Sequence, residues 1–508
     1  MFTDRVLVTM RLFVAAAGIL AVASATPFST APAFAASAPA LTAVVRYEQA
    51  DSRLTYAGRW TTVSTVSAAG GSFAFADSSG SSVTIRFTGT HLSWIAKRSP
   101  LYGKAKVTLD GKSIGTVDLY SATAQWQQKV WGTGTLAFGS HTVTIAWTGL
   151  KKTAAKGANI DVDAVEVTAA PLSPMQAAGQ RVIYSYPGLT PPASLLSLIS
   201  HGEAAGVVFF ADNISSDAQI RAVIKTLDEA EASPDNPVQA PLLLMTDQEG
   251  GQIRRLSGAP LLSEKQIGQS AKPATQATEA GRGAALNLRA VGMNLNLAPV
   301  LDVYRQTGGF DDHDGRSYSK SPAVVSGLGA DFIKAEQGAG VAATAKHFPG
   351  LGAATVSQDT DAAPVTLNVS RQSLITIDES PYKAAIAAGV RLVMVSWATY
   401  PALAASRPAG LSSIMIQGQL RQQLHFQGVT ITDSLGAGAL EAFGTTQQRA
   451  VLAAGAGMDL ILCASRDVSQ GEQAMDGLES GYLAGALDRS AFQASLQRVV
   501  DLRSSLGN

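Results

Sequence analysis

The spacing of apolar positions changes partway along the chain. From about residue 40 to residue 170 the apolar residues fall in short runs: SVTIRFTG, LSWIAK, KAKVTLDG, HTVTIAW and DVDAVEV. Val, Ile, Thr and Trp dominate these runs, and Gly, Ser and Asp turns separate them about every ten residues, the pattern of a β-sandwich. The segment TAAPLSP (Thr168 to Pro174) reads as a linker. Beyond it come eight apolar strand-like runs: RVIYSY, GVVFFA, LLLMTD, MNLNLAP, VAATAKH, LVMVSWA, GVTITD and MDLILCA. Helical stretches lie between them, among them DAQIRAVIKTLDEAEA, ATEAGRGAALNLRAVG and QGQLRQQLH. Eight strand-then-helix units over about 335 residues predict an α/β fold, a (β/α)8 TIM-type barrel with insertions. A doubly wound open sheet is the alternative, but eight is the number of strands that closes a ring.

The first residues follow a different logic. Arg5 and Arg11 flank the start, an apolar run covers roughly Leu12 to Ala25, and Ala33-x-Ala35 offers a small-x-small cleavage pattern. This predicts a signal peptide over residues 1–36, cut after Ala35 or Ala36, and a secreted product. The run is short for a membrane span, so no stable membrane insertion is expected, and no Cys near the cut offers a lipid anchor. Residues 37–170 then form the β-sandwich domain and residues 171–508 the barrel domain. Cys463, the single cysteine, sits in an apolar run and cannot form an internal disulfide.

Composition narrows the function classes. Of the 508 residues, 46% are hydrophobic and only 15% charged, which supports large cores and excludes disorder. Lys+Arg and Asp+Glu are equal at 39 each, so no global basic field points to nucleic acid. Five of the six tryptophans (Trp60, Trp94, Trp126, Trp131 and Trp147) fall in the β region. Any one of them is explained by core packing, while an exposed one would stack on a sugar face.

In a (β/α)8 barrel the chemistry sits at the C-terminal ends of the strands. The residues there are Asp212, Asn213, Asp247, Asp302, Lys346, His347, Trp397 and Asp433. A helix N-cap accounts for any single Asp. A ring of them is harder to explain, because barrel stability needs apolar layers. Carboxylates, cations and an aromatic around one mouth suit a polyhydroxylated neutral ligand. Glycoside hydrolysis needs one carboxylate beside the anomeric carbon and a proton donor at the leaving oxygen. The rival is metal chemistry: FDDHDGR (Phe310 to Arg316) clusters Asp311, Asp312, His313 and Asp314. That run lacks a helical His pair or similar ligand spacing, so no metal is expected. GxSxG, P-loop and dinucleotide fingerprints are missing as well, and no cofactor is expected.

Five stretches, in this order, resemble glycoside hydrolase family 3: MTDQEGGQIRRL (245–256), MNLNLAPVLDV (293–303), DGRSYSKSP (314–322), AKHFPGLG (345–352) and the segment from Tyr400 to Leu440 that contains TITDSLG. They are most similar to the branch of bacterial β-N-acetylglucosaminidases built on a single barrel. The resemblance implies a retaining double displacement with Asp433 as nucleophile. It implies that Asp247, Arg255, Arg316, Lys346 and His347 bind sugar hydroxyls. One departure concerns the proton donor. Where that branch carries a catalytic His after FPGxG, this chain has VSQDTDAAP (356–364), so Asp359 or Asp361 is expected to take over, with its pKa raised by burial or by Asp433. Other branches draw the acid from a further C-terminal domain, whereas this sequence ends at Asn508. Trp397 stands near where the branch has a His, and is expected to shape the pocket or stack on a sugar. The β region resembles galactose-binding-like modules of secreted glycosidases, which implies carbohydrate binding, with a structural spacer as the alternative. The function expected is a secreted β-glycosidase acting on β-linked N-acetylhexosaminides or glucosides of cell-wall or environmental glycans. A sugar-binding barrel that has lost efficient catalysis is the second expectation.

Overall fold

The computed structural model describes residues 41–506. The expected signal peptide lies outside the described residues.

In the region up to Thr168 every strand-to-strand ladder is antiparallel. One sheet joins Val44–Glu48, Ala164–Thr168, His91–Arg98 and Gln125–Gly132 in that order. A five-stranded sheet joins Leu54–Ala57, Ser82–Gly89, Gly139–Trp147, Lys104–Leu109 and Lys112–Asp118. A third, of three strands, joins Ile160–Val162, Ser72–Ala76 and Thr61–Ser64. The period-two pattern is met residue by residue: Val83, Ile85 and Phe87 are buried, while Arg86 between them faces water. Trp94 is fully buried and its indole donates to the Asp161 carbonyl at 3.1 Å. Trp60, Trp126, Trp131 and Trp147 are only half-buried.

All eight predicted barrel strands form. In chain order they are Val182–Tyr184, Gly206–Val208, Leu243–Thr246, Leu295–Asn296, Ala342–Phe348, Leu392–Val395, Val429–Thr432 and Ile461–Leu462. Each pairs in parallel with its sequence neighbour, and the eighth pairs with the first. A parallel bridge between Ile431 and Leu460 joins strand seven to strand eight and brings the ring round. Alternation sorts the side chains into two layers: Leu243 and Met245 fill the barrel interior with Leu295, Leu392 and Ile431, while Leu242 and Leu244 pack outward under the helices. Helices follow every strand, and their ends carry the expected signals. Pro273 and Pro322 open Pro273–Val291 and Pro322–Gly338, where a missing N–H costs no hydrogen bond. Gly292 ends the first of these at φ 97°, a left-handed cap open to glycine. The stretch QGQLRQQLH lies in and just beyond a helix, Ile414–Gln423, wound wider, as a π-helix. Among the described residues no helix is long and apolar enough to cross a membrane.

The last helix, Arg489–Ser504, ties the two regions together. Gln493 and Gln497, one turn apart, face the free edge of strand Val44–Glu48. Gln493 donates to the Thr42 carbonyl (2.7 Å) and accepts from its N–H (3.4 Å); Gln497 does the same at Val44 (2.9 and 3.3 Å). Two side-chain amides thus satisfy backbone groups that a neighbouring strand would otherwise take.

Candidate active site

The C-terminal ends of the barrel strands enclose a pocket of about 240 Å³. Val208, Leu297, Met394 and Leu462 come up from the barrel interior as its apolar floor. Phe210, Ile253, Phe310 and Leu351 add apolar wall. The polar arc is Asp247, Arg255, Arg316, Lys346, His347, Asp359, Asp361 and Asp433. Asp247, Arg255, Arg316, Lys346, His347, Asp359, Asp361 and Asp433 therefore meet in one place, while Asp212, Asn213, Asp302 and Trp397 lie outside the lining, Asp212 beside Arg466 at 3.6 Å. The volume lies below the ~300–1,000 Å³ of pockets for drug-sized ligands, which fits a small ligand group.

Strand five supplies the cations. In a regular strand, neighbours point to opposite faces, yet Lys346 and His347 both line the pocket. The ladder with strand six shifts register between Ala345 and Phe348, which re-aims the chain there. Lys346 Nζ lies 2.7 Å from Asp247 Oδ1 and 2.8 Å from Glu249 Oε1. Burial opposes its charge, but Asp247 and Glu249 outweigh burial and hold its pKa above the usual lysine value. Arg316 grips Glu249 bidentately at 2.8 and 3.0 Å. Burial would raise the Glu249 pKa, yet Arg316 and Lys346 pull it far below the ordinary carboxylate range. Arg255 sits looser, 3.6 Å from Asp247.

His347 is set from behind. Its Nδ1 donates to Asp302 Oδ2 at 2.8 Å, and Asp302 Oδ1 accepts from the Leu351 N–H at 2.6 Å. Burial disfavours the imidazolium, but the Asp302 carboxylate overcomes it and raises the His347 pKa. With Nδ1 committed, Nε2 is the atom left for a ligand.

The loop after strand five carries the two carboxylates. Asp359 Oδ1 accepts from the Asp361 N–H at 2.9 Å, a turn that leaves Asp361 at the rim. The Asp361 side chain is exposed, yet the protein around its carboxyl, then the charges of Asp433 and Asp359, push its pKa up to about 6. Asp433 follows strand seven, and its Oδ1 accepts from the Ser434 N–H at 2.7 Å.

Trp397 departs from expectation. It is fully buried and lies outside the pocket lining, packed against Gly410, where a Cβ would come within 2.5 Å of the ring. Its indole donates to the Ser434 carbonyl at 2.8 Å. It braces the backbone next to Asp433 and does not face a sugar. Asn213 is also drawn into structure: its amide donates to the Tyr186 and Gly188 carbonyls.

Two important residues escape the sequence pattern. Glu249 lies inside the quoted DQEGG stretch but next to the more obvious Asp247. Asp302 reads as one strand-end acid among several, and only the fold puts it behind His347. The acidic run at residues 310–316 scatters: Asp312 pairs with Lys265 at 2.7 Å, and His313 and Asp314 are exposed. Asp311 alone turns inward, 4.0 Å from Arg316, with both oxygens buried and unpartnered. Burial and then the Asp302 charge raise its pKa. Asp302, Asp311 and His347 bring donor atoms within 4.8 Å of one another, the one such grouping among the described residues. Asp302 is already engaged by His347 and by the Leu351 N–H.

The model of the glycosyl hydrolase family 3 N-terminal domain matches residues 175–502. The chain belongs to glycoside hydrolase family 3. As a family 3 member it hydrolyses O-glycosyl bonds. It is similar to an uncharacterized secreted glycosyl hydrolase of Arthroderma benhamiae, with 43% identity over 65% of this chain and 93% of that protein. It is similar to a beta-hexosaminidase of Xanthomonas oryzae pv. oryzae, with 34% identity over 58% of this chain and 87% of that one. A family 3 beta-N-acetylglucosaminidase structure from Paenibacillus sp. superposes with a TM-score of 0.62 at 33% identity, over 66% of this chain and 64% of that one. A carbohydrate substrate is consistent with this membership.

Proposed function

We propose that the protein is a secreted, retaining β-glycosidase that releases terminal β-linked N-acetylhexosamine from cell-wall or environmental glycans. The observation that carries this reading is the shared pocket of Asp433 and Asp361, one free to attack and the other raised to about 6. Asp433 attacks the anomeric carbon while Asp361 gives its proton to the departing oxygen, leaving a covalent glycosyl-enzyme. Water then attacks the same carbon, passes a proton to the Asp361 carboxylate and releases Asp433. Asp361 is preferred to Asp359 because the Asp359 carboxyl already holds the turn. Lys346, Arg316, His347 and Asp247 orient ring hydroxyls. The similarity to a beta-hexosaminidase and a beta-N-acetylglucosaminidase supports the N-acetyl preference. The N-terminal residue pattern, with the similarity to a secreted hydrolase, supports export.

Residues 37–170 are read as a carbohydrate-binding β-sandwich. Half-buried Trp126, with the Lys97 ammonium 3.8 Å from its ring centroid, is its candidate contact.

The test is trapping with a 2-deoxy-2-fluoro glycoside, followed by peptide mapping. Label on the Asp433 peptide, together with loss of aryl β-N-acetylglucosaminide turnover in Asp433→Asn, is expected. Full activity in Asp433→Asn, or label on another residue, overturns the nucleophile assignment. Binding without turnover across a panel of aryl glycosides overturns the enzymatic reading.

A further inference from the structure

We infer that Gly438 is a positioning residue for the proton donor: a two-bond backbone clasp from the loop that follows Asp433 holds Asp361 in place. This rests on the assignment of Asp361 as acid/base.

Beyond turn bonds within itself and two backbone bonds at its base, from the Arg305 N–H to the Gly352 carbonyl and from the Phe310 N–H to the Ala354 carbonyl, the donor loop has little else to hold it. Thr355, Val356, Ser357 and the whole of 361–364 are exposed, and only Leu351, Gly352, Ala354 and Thr360 are buried. Exposed loop ends with few apolar anchors open locally at low cost. A general acid, however, has to stay within hydrogen-bond reach of the leaving oxygen. The clasp supplies that restraint. The Gly438 N–H donates to the Asp361 carbonyl at 2.8 Å, and the Ala439 N–H donates to the Thr360 carbonyl at 3.0 Å. These donors open the short 3-10 turn Gly438–Phe443, whose first N–H groups have no partner within the turn. Donors and acceptors that would each otherwise need water satisfy one another.

Space requires the glycine. Gly438 is not among the residues with positive φ, so its backbone suits any side chain. A Cβ there would lie 2.4 Å from the Ala362 carbonyl oxygen and 3.0 Å from that of Asp361. The donor loop can approach this closely only because nothing projects from residue 438. The other side of the same segment is braced as well: the Leu435 N–H donates to the Leu462 carbonyl at 2.9 Å, and Trp397 holds the Ser434 carbonyl. The braced segment that follows the nucleophile therefore also holds the loop that carries the proton donor.

The experiment compares kcat/KM for two β-glycosides of the same sugar. One has a 2,4-dinitrophenol leaving group that needs no protonation, and the other is an unactivated disaccharide. In Gly438→Ala the disaccharide value is expected to fall about 10²-fold, the loss typical of a reacting group displaced by an ångström. The dinitrophenyl value is expected to fall less than about 3-fold, since protonation by the acid drops out of that step. Ala439→Pro removes the second donor where proline is tolerated in a first turn, and gives the same readout where Gly438→Ala does not fold. Equal losses on both substrates, or no loss on either, overturn the clasp. Asp361→Ala separates the two levels. Selective loss there with none in Gly438→Ala sinks only the positioning role; equal loss on both substrates in Asp361→Ala sinks the acid assignment beneath it.

Discussion

Lys346 and Arg316 put two positive charges against one pocket wall from which water is largely excluded, and Glu249 lies between them with 2% of its side chain exposed. Take away its charge and Arg316 loses its bidentate partner, while Lys346 is left with Asp247 alone. Removing one member of a buried ion pair costs about 3–5 kcal/mol, so Glu249→Gln is expected to lower unfolding stability by that order and to depress kcat/KM. Urea unfolding alongside steady-state kinetics checks this, and an unchanged midpoint would show that the pair is worth little. Asp361 makes a second prediction at this scale. Its proton is held below about pH 6 and lost above it, so kcat/KM is expected to decline on the alkaline side through that value, and Asp361→Asn to abolish that limb. A limb unchanged in the variant assigns it to another group. Asp247, Lys346, His347 and Asp433 were legible because each ends a recognisable strand. Glu249 was hidden because sequence order cannot show that the hairpin Gln248–Gly250 with Ile253–Arg254 is bulged and turns Glu249 under Lys346. Trp397 misled for the opposite reason: an aromatic at a strand end suits stacking and packing alike, and only burial decides.

The eight barrel strands were read correctly because nearly continuous apolar runs, broken by helical stretches, have few other uses. The β region was equally legible in its alternation, but its sheet order was not, since Ala164–Thr168 pairs with both Val44–Glu48 and His91–Arg98 across long sequence separations. Nothing in the pattern announced the Gln493 and Gln497 bridge either. Glutamines one turn apart on a helix ordinarily face water, and their use depends on an edge strand more than 440 residues away in sequence. Each hydrogen bond is worth about 1 kcal/mol net, so Gln493→Ala with Gln497→Ala should loosen that edge locally while the barrel stays folded. Native-state hydrogen exchange is the measurement: the Thr42 and Val44 amides are expected to lose protection while those of Val429–Thr432 keep it. Protection retained at residues 42 and 44 would mean that the strand is held by its other edge alone.

Over the whole molecule, buried carboxyls divide into two sets that pull stability in opposite directions with pH. Asp459 is fully buried between Arg421 (2.6 Å) and Arg498 (2.7 Å), and Glu249 between Arg316 and Lys346. In both, burial is outweighed by the cations and the folded pKa is depressed. Their stabilisation is present above the unfolded carboxyl value of about 4 and is lost as pH falls below it. Asp161, Asp163, Glu264 and Glu336 behave in reverse. They are buried without a cation in contact, and burial raises each pKa, to about 6 for Asp163. A raised folded pKa means that the native state binds the proton more tightly than the unfolded chain. That contribution is complete below about pH 4 and is lost as pH rises through the folded value. The two sets together place maximum stability in a window close to about pH 4 to 5, where the first set is in place and little of the second has been lost. Thermal midpoints across pH 4 to 8 are expected to peak in that window and to decline towards pH 8. Asp163→Asn, which cannot ionise, is expected to flatten the decline, whereas a midpoint that climbs steadily from pH 5 to pH 8 would show that these carboxyls ionise in the folded state without penalty.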